Sequence, residues 1–485
     1  MSRYLAWSLV MGAAFSTALC APTTDRAWLP GDSHIHSHWS AGADRRRTPP
    51  TPIKGQDALY STPRNAAMAR QFGLAWMVTT DHGGPDHAKL NFLQAYQELI
   101  LSRALIPGLL QFYGMELNMP GMDHHTLIIP NADDEATVLR EIESRFDANQ
   151  DWQLPPDAGR RSAAARRRAL AHLRSLERLP VLFANHPSRS ATGIGRYGLD
   201  EPWEIRENND LAPDVYMGME GAPGHQAATL SADGSRRPDP PRGAPPGRGG
   251  YRNRDAPTFG GFDQMTARVG GFWDSLLGEG RRFWIVASSD SHAHYTNPVR
   301  RGSDFWPGEF HKTYVLARPT YDDVLDGLRQ GRIFAAAGGL VTSLDVSAAA
   351  GGRQAAVGGT LGAAASDSVD VTIRFTDPEI ENAAGEDPTV RRVDLIVGET
   401  RGPASAPHRD WNLTTKVVAR FGPADWMRDG DRYTVTTSLP PSDEARYLRV
   451  RGTSTDALEP APDEPGENPW HDLWFYSNPI FIEVE

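Results

Sequence analysis

The feature that most constrains the fold is a series of short apolar segments, each followed closely by a histidine or a carboxylate. The segments and the groups that follow them are 74–80 with Asp81 and His82, 109–113 with Glu116, 179–185 with His186, and 283–287 with Asp290 and His292. Helical patterns lie between these segments. One is predicted to begin at Ser61-Thr62-Pro63 and end at Gly73, and another spans 265–277. Such alternation is typical of a parallel sheet. A parallel β/α barrel gathers the carboxyl ends of its strands at one face, so the sequence predicts a polar site there.

The chemistry of these side chains points to bound metal. His34 and His36 are two residues apart, so on a strand their imidazoles project from the same face. Another histidine pair, His124 and His125, precedes the apolar run 126–129. Imidazole and carboxylate without thiolate suit zinc, manganese or iron. The alternative is that these histidines are scattered core and loop residues.

The order of the motifs gives a family resemblance. They are Asp-x-His-x-His at 32–36, Thr-Asp-His at 80–82, Gly-x-Glu at 114–116, His125 before an apolar run, His-Pro at 186–187 and Ser-Asp-x-His at 289–292. Over residues 30–340 this set resembles the polymerase-and-histidinol-phosphatase (PHP) superfamily. The resemblance implies a distorted (β/α)7 TIM-like barrel, metals at its C-terminal face and hydrolysis of phosphoesters. Segments 328–334 and 477–482 look like the exported branch that includes carbaryl hydrolases, which cleave a carbamate ester.

The resemblance also implies roles for individual residues. The implied metal ligands are His34, His36, His82, Glu116, His125, His186, Asp290 and His292. The choice between His124 and His125 is open, and we favour His125 because it directly precedes the apolar run. Asp81 is expected to orient His82, and Asp81, His225 and His294 are candidate proton donors.

Two arginines are candidates for substrate binding. Arg189 and Arg196 follow His186 and offer guanidinium groups that bind anions in a bidentate manner. The alternative is that both are surface arginines of a polar loop.

One position departs from the family pattern. The family usually has an aspartate in a Ser-Asp-Gly triplet, and here Ser40, Ala41 and Gly42 stand in its place. Alanine cannot bind a metal, so either Asp44 or His38 substitutes for the aspartate, or one metal position is lost. We therefore expect two divalent ions per chain, with one or three left open.

The length of 485 residues and a 39% hydrophobic content fit one large and one smaller domain. We predict a barrel at 28–340 and a small antiparallel β-sandwich at 341–485, where alternating apolar strands are separated by turns. Within the barrel, residues 231–258 form a loop rich in Pro, Gly and Arg. That loop is either a lid over the site or an insertion without function.

The N-terminus predicts export. Arg3 precedes an apolar stretch at 5–19, so residues 1–21 are expected to be a signal peptide. Cys20 stands where a lipoprotein cysteine would, although Leu19 fits that motif poorly; an uncleaved anchor is the remaining alternative. We expect a periplasmic or extracellular protein, lipid-anchored if Cys20 is acylated, with no integral membrane segment after signal removal. The net charge of −11, without a Lys/Arg block, argues against a nucleic-acid partner.

These features predict a metal-dependent hydrolase that uses a metal-activated hydroxide on a small-molecule ester. Phosphomonoesters or phosphodiesters compete with carbamates, carboxyl esters and amides as the substrate class. A third possibility is an inactive, metal-stabilised binding module at the cell surface, which Ala41 favours. The chain has no Gly-x-Ser-x-Gly motif and no cysteine after Cys20, so a serine or thiol nucleophile is not expected.

Overall fold

A computed structural model describes residues 25–48, 50–150, 159–235, 251, 256–464 and 466–485. The predicted signal peptide with Cys20 lies outside these residues, as does most of the loop at 231–258. Within the described ranges, no helix has both the length and the apolar character needed to cross a membrane.

The structure mixes short helices with many strands. The strands are β1 (Ala27–Ile35), β2 (Gly42–Asp44), β3 (Thr51–Ile53), β4 (Trp76–Thr79), β5 (Leu110–Asn118), β6 (His124–Ile128), β7 (Val181–Ala184), β8 (Tyr216–Ala222), β9 (Trp284–Ala287), β10 (His311–Ala317), β11 (Ile333–Ala337), β12 (Ser343–Ala350), β13 (Arg353–Ala356), β14 (Thr360–Ala363), β15 (Val369–Thr376), β16 (Arg392–Glu399), β17 (Lys416–Phe421), β18 (Met427–Asp429), β19 (Arg432–Leu439), β20 (Arg446–Thr453), β21 (Trp474–Ser477) and β22 (Ile480–Val484). The helices are α1 (Thr62–Gln71), α2 (His87–Leu90), α3 (Tyr96–Leu105), α4 (Glu135–Phe146), α5 (Ala163–Arg174), α6 (Pro202–Leu211), α7 (Gln264–Ala267), α8 (Phe272–Gly278) and α9 (Tyr321–Arg329). A π-helical turn at Asn91–Ala95 joins α2 to α3.

The main sheet is large and mixed, with the central order β10-β1-β4-β5-β6-β7-β8-β9. The pairs β1/β4, β4/β5, β7/β8 and β8/β9 are parallel, as predicted. Two strands differ from the all-parallel expectation, because β6 runs antiparallel to both β5 and β7, and β10 runs antiparallel to β1. β6 runs antiparallel to β5 because only a short link joins the two strands, and a parallel crossover needs a dozen or more residues.

The expected barrel is not closed by a hydrogen-bonded ladder. Among the described residues, β9 forms a ladder with β8 alone. Beyond the end of β9, a single bridge joins Ser291 to Ile35 of β1, and the backbone N–H of His36 donates to the Ser291 carbonyl at 3.1 Å. The architecture is therefore α/β with a mixed sheet. The chain after β9 approaches the end of β1, beside the histidines there.

Local signals explain where the helices begin and end. The predicted start of α1 is confirmed: the Ser61 hydroxyl accepts from the Arg64 N–H at 3.3 Å, and Pro63 occupies the first turn. Gly73 follows with φ of +80°, a conformation that suits glycine. The single helix expected at 265–277 is instead two short helices, because Gly270 at φ +73° interrupts it.

The C-terminal part contains a five-stranded antiparallel sheet in the order β13-β12-β15-β19-β18. It faces a layer formed by β14, β22, β20 and β21, and β21 pairs with β11, so this layer continues the main sheet. The apolar residues between the two layers include Leu344, Phe375, Leu448 and Phe475. The sandwich is not purely antiparallel, because β14 and β22 run parallel.

Candidate metal centre

The side chains of the candidate site meet where the parallel strands end. His34 lies near the end of β1 with His36 just beyond it, His82 follows β4, Glu116 lies on β5 and Asp290 follows β9. Because β6 is antiparallel, its histidines stand at its start and still reach this edge of the sheet. The reversed direction of β6 thus places a histidine from the start of this strand beside side chains from the ends of the other strands.

An inner group is formed by His34, His36, Glu116 and Asp290, all buried, with ligand atoms within 4.8 Å of one another. The two Nε2 atoms of the histidines are 2.9 Å apart, and each lies 3.2 Å from Asp290 Oδ1. Glu116 offers one oxygen to each histidine, at 3.4 and 3.3 Å. This mixture of imidazole and carboxylate is a donor set for divalent ions.

The orientation of His34 explains why this group fits a metal. Its Nδ1 lies 2.7 Å from Glu220 Oε1, and a carboxylate there accepts the Nδ1 proton. In the neutral imidazole, Nε2 then carries a lone pair directed at His36, Glu116 and Asp290. Asp290 Oδ1 is buried and accepts no hydrogen bond. Buried acceptors that face one another are costly unless protons or a metal cation lie among them.

Three outer groups adjoin the inner one and share residues with it. They are His36, Asp57, His82 and His292; His82, Glu116 and His124; and His225, Asp290 and His292. The side chains of His82, His124 and His292 are 17–22% exposed, whereas those of the inner residues are 0–2% exposed. The site therefore has a closed floor and a mouth lined by the outer histidines.

The two carboxylates of the inner group, Glu116 and Asp290, are ionised at neutral pH. Burial opposes ionisation of Glu116, but His124, His82 and His34 hold its pKa well below the usual value. Burial also opposes ionisation of Asp290, whose pKa is lowered by His225, His34 and His292.

The neighbouring carboxylates raise the pKa of a histidine at this site, against the effect of burial. Burial favours the neutral form of His292, yet Asp57 and Asp290 raise its pKa to about 9. Without an ion, protons on such histidines balance the negative charge. A divalent cation balances that charge by displacing those protons.

Backbone strain is concentrated at this site. Five non-glycine residues of the described chain have positive φ, and three of them are His186, His225 and Asp290. Left-handed backbone is uncommon outside glycine, and it persists where the surrounding structure enforces it. His186 lies 3.0 Å from Glu116 through Nε2, and His225 lies 2.8 Å from Asp290.

The geometry brings His124, rather than the favoured His125, to the centre. His124 Nδ1 lies 3.0 Å from Glu116 Oε1. His125 is directed to the other face of β6, where its Nε2 is 3.2 Å from the Tyr216 hydroxyl. Burial lowers the pKa of His125 to about 3. Strand alternation separates the two neighbours, and the register of β6 against β5, with Asn118 opposite His124, places His124 on the face that carries Glu116.

Asp57 supplies a carboxylate to the outer group that contains His36, His82 and His292. Its carboxylate lies 3.4 Å from His292 Nε2 and accepts from the Ser40 hydroxyl at 2.5 Å. Neither expected substitute occupies this place, because His38 contacts Glu98 at 2.9 Å and Asp44 contacts Arg46 at 2.8 Å. No motif marks Asp57 in the sequence.

Two further carboxylates orient histidines and were not predicted. Glu220 holds His34, as described, and accepts from the His186 N–H at 2.7 Å. Asp304 hydrogen-bonds His225 Nδ1 and accepts from the His292 N–H at 2.6 Å. Glu220 ends an apolar strand as the other acidic residues do, so a sequence signal existed for it. Asp304 lies in a loop and carried none.

The three candidate proton donors occupy different places. Asp81 accepts from the backbone N–H and hydroxyl of Ser37 at 2.5 and 2.7 Å, so it fixes the chain after β1. His225 lies at the mouth. His294 contacts Glu309 at 2.9 Å and belongs to none of the metal-type groups found among the described residues.

The two candidate arginines also differ. Arg189 Nη2 lies 2.8 Å from Asp123 and 3.3 Å from His124 Nδ1, with its side chain 22% exposed. Arg189 is thus placed beside the outer histidines. Arg196 is exposed on the loop after His186.

Comparison with known proteins gives little further information. No protein-family model matches the chain, and no curated protein matches it. A crystal structure of endonuclease Q, in complex with a 27-mer duplex substrate bearing an abasic lesion at the active site, aligns with a TM-score of 0.31 and 14% sequence identity. The alignment covers 63% of this chain and 56% of that chain. A TM-score this low leaves the assignment of function to the geometry of the site.

Proposed function

We propose that this protein is an exported, metal-dependent hydrolase that cleaves phosphoester bonds in a small molecule. The observation that carries the proposal is the convergence of the His34, His36, Glu116 and Asp290 ligand atoms, with the His34 tautomer fixed by Glu220. Structural histidines in a core do not need lone pairs directed at one point. A PHP-type barrel distorted by the reversed β6 is the architecture we propose for it.

Divalent ions held by these groups would supply Lewis-acid chemistry and a water of lowered pKa, which is why no protein nucleophile is needed. The outer groups, with Asp57 included, support more than one ion, and we propose two or three of zinc, manganese or iron. A complete ligand set weighs against the inactive binding module that Ala41 alone suggested.

We assign the other roles in the proposed reaction to individual side chains. Glu116 contacts residues of both the inner and outer groups, so it would help to hold an ion in either group. His225 keeps its Nδ1 proton against Asp304, so a proton that it gives to a leaving group would come from Nε2, which lies 2.8 Å from Asp290 at the mouth of the site. Asp81 and His294 position loops instead.

Arg189 favours a phosphoester over a carbamate or carboxyl ester. Its guanidinium is oriented by Asp123 beside His124, at the open side of the centre. A planar guanidinium with several donors suits the oxygens of a phosphoryl group. A neutral carbamate would gain less from it, and hydrolysis of carbamates or esters is the second candidate function on the same centre.

The first test is metal analysis of the purified protein with turnover assays on p-nitrophenyl phosphate, bis-p-nitrophenyl phosphate and an aryl carbamate. The variant His34→Ala/His36→Ala is expected to lose both metal and turnover. The matched control, His408→Ala/His471→Ala, removes two exposed histidines and should retain both. Wild-type protein that stays metal-free after reconstitution would overturn the proposal, and preference for the carbamate would select the second candidate.

A second variant separates the two substrate classes. Arg189→Met should lower kcat/KM for the preferred phosphoester roughly 10- to 100-fold, because a hydrogen bond to a charged group contributes ~1.5–3 kcal/mol. Metal content should not change. An equal loss on phosphoester and carbamate would remove the argument for phosphate recognition.

A further inference from the structure

A cavity of about 480 Å³ lies between the main sheet and the C-terminal sheet, apart from the metal centre. Its walls include Trp28 of β1, Tyr314 of β10, Phe72 after α1, and Ile380 in the loop after β15. None of the residues that form the metal-type groups lines it. Ligand-binding cavities are commonly of this size and lie between packed units.

One cationic side chain in this cavity has no partner. Lys312 on β10 is partly buried, and within the described part of the chain nothing forms an ion pair or hydrogen bond with its ammonium group. Burial alone lowers its pKa to about 8, so the group is mainly protonated at neutral pH. Partial removal of a charge from water without a counter-ion is unfavourable, and an anionic ligand would reduce that cost.

The carboxylates of the cavity do not meet this need. Glu309 is engaged elsewhere, since its Oε2 lies 2.9 Å from His294 Nε2 and accepts from the Trp306 N–H at 2.8 Å. Glu381 is exposed at the rim. Both acidic groups oppose a second negative charge nearby, so the charge balance favours a ligand that carries one negative charge rather than two.

The remaining wall is aromatic and held in place. Tyr314 stacks on Phe334 with ring centroids 4.4 Å apart, and Trp28 packs edge-on against the same ring at 4.8 Å. The Trp28 indole N–H donates to Asp345 at 2.8 Å. Rigid aromatic faces bind flat apolar groups at a low cost in conformational entropy.

We propose that this cavity binds a monocarboxylate with an aromatic or similarly apolar body, its carboxylate paired with Lys312 and its body against Trp28 and Tyr314. The cavity would be a second site, separate from hydrolysis at the metal centre.

The test uses 2-naphthoate as the probe and 2-naphthamide as its neutral analogue, with binding to the full-length, metal-loaded protein followed by calorimetry and tryptophan fluorescence. Lys312→Met keeps the length of the side chain and removes its charge. It should weaken 2-naphthoate binding on the order of tenfold or more. Binding of 2-naphthamide, metal content and ester turnover should stay unchanged. The control Lys416→Met removes an exposed lysine of β17 and should bind as wild type.

Each outcome decides the proposal. Selective loss of 2-naphthoate binding in Lys312→Met supports it. Equal binding by wild type and Lys312→Met overturns it, because the probe then occupies another place such as the metal centre. Absence of measurable binding to wild type at millimolar 2-naphthoate also overturns it.

Discussion

At the scale of single residues, the centre depends on groups that hold the histidines as well as on the histidines themselves. Glu220 is buried, accepts from the Ser288 hydroxyl at 2.7 Å and faces His34 Nδ1. A carboxylate in this position fixes the ring orientation and makes Nε2 more basic.

We expect Glu220→Gln to weaken metal binding by about 10- to 100-fold, the usual effect of losing such an orienting group. The amide keeps the shape but loses the charge that favours a proton on His34 Nδ1. Competition with a chromogenic chelator measures the affinity, with the exposed Glu444→Gln as control. Wild-type affinity in Glu220→Gln would show that Glu220 does not tune the centre.

The adjacent histidines of β6 provide a matched pair of variants. His124→Gln should reduce the bound metal by one equivalent and lower turnover, because His124 contacts Glu116. His125→Gln should keep its metal and lose ~1–3 kcal/mol of stability, since it disturbs a buried contact with Tyr216. Metal analysis and urea unfolding of both proteins make the comparison. Metal loss confined to His125→Gln would restore the original assignment.

At the scale of elements, strand direction controls the site. The ends of β1, β4, β7 and β9 deliver residues by the parallel arrangement, whereas β6 delivers a residue from its start. Helix α1 holds the chain after β1, because the Asn65 side chain donates to the His36 carbonyl at 2.8 Å. The ends of α1 are therefore relevant to the site as well as to stability.

Removal of the cap of α1 tests the local signal. Ser61→Ala should lower the free energy of unfolding by ~1 kcal/mol, because the Arg64 N–H loses its acceptor. Ser144→Ala within α4 serves as control, since its hydroxyl caps no helix start and alanine favours helix. Chemical denaturation measures both. An equal effect of the two substitutions would argue against capping by Ser61.

At the scale of the whole molecule, the C-terminal layer is joined to the sheet that carries the candidate metal centre through β11 and β21 and through a buried ion pair. Asp274 of α8 accepts from Arg449 of β20 at 2.9 and 2.7 Å, and both side chains are fully buried. The Tyr447 hydroxyl donates to the same carboxylate at 3.0 Å. These contacts connect residues on the two sides of the predicted boundary at residue 340.

Asp274→Asn should cost about 3–5 kcal/mol of stability, because it leaves the Arg449 charge buried without its partner. The partly exposed pair of Asp326 with Arg332 supplies the control, where Asp326→Asn should cost ~1 kcal/mol or less. Urea unfolding monitored by tryptophan fluorescence gives both values. Similar small losses would mean that the two parts are not coupled through this pair.

The sequence by itself determined the residues that any strand-end centre must use. His34 and His36 were identifiable because strand alternation is local, and Glu116, His186 and Asp290 because each follows an apolar run. The cap at Ser61 could also be predicted from the sequence, since it depends on two residues that are three positions apart. Such features need no knowledge of distant parts of the chain.

The tertiary structure alone decided the rest. The register of β6 against β5 placed His124 rather than His125 on the face of Glu116, and a loop brought Asp57 to within 3.4 Å of His292. Glu220 and Asp304 reach the histidines from segments more than 75 residues away from His34 and His225. The physical reason is the same in each case: contacts between distant segments depend on strand direction and loop path, which local patterns do not encode.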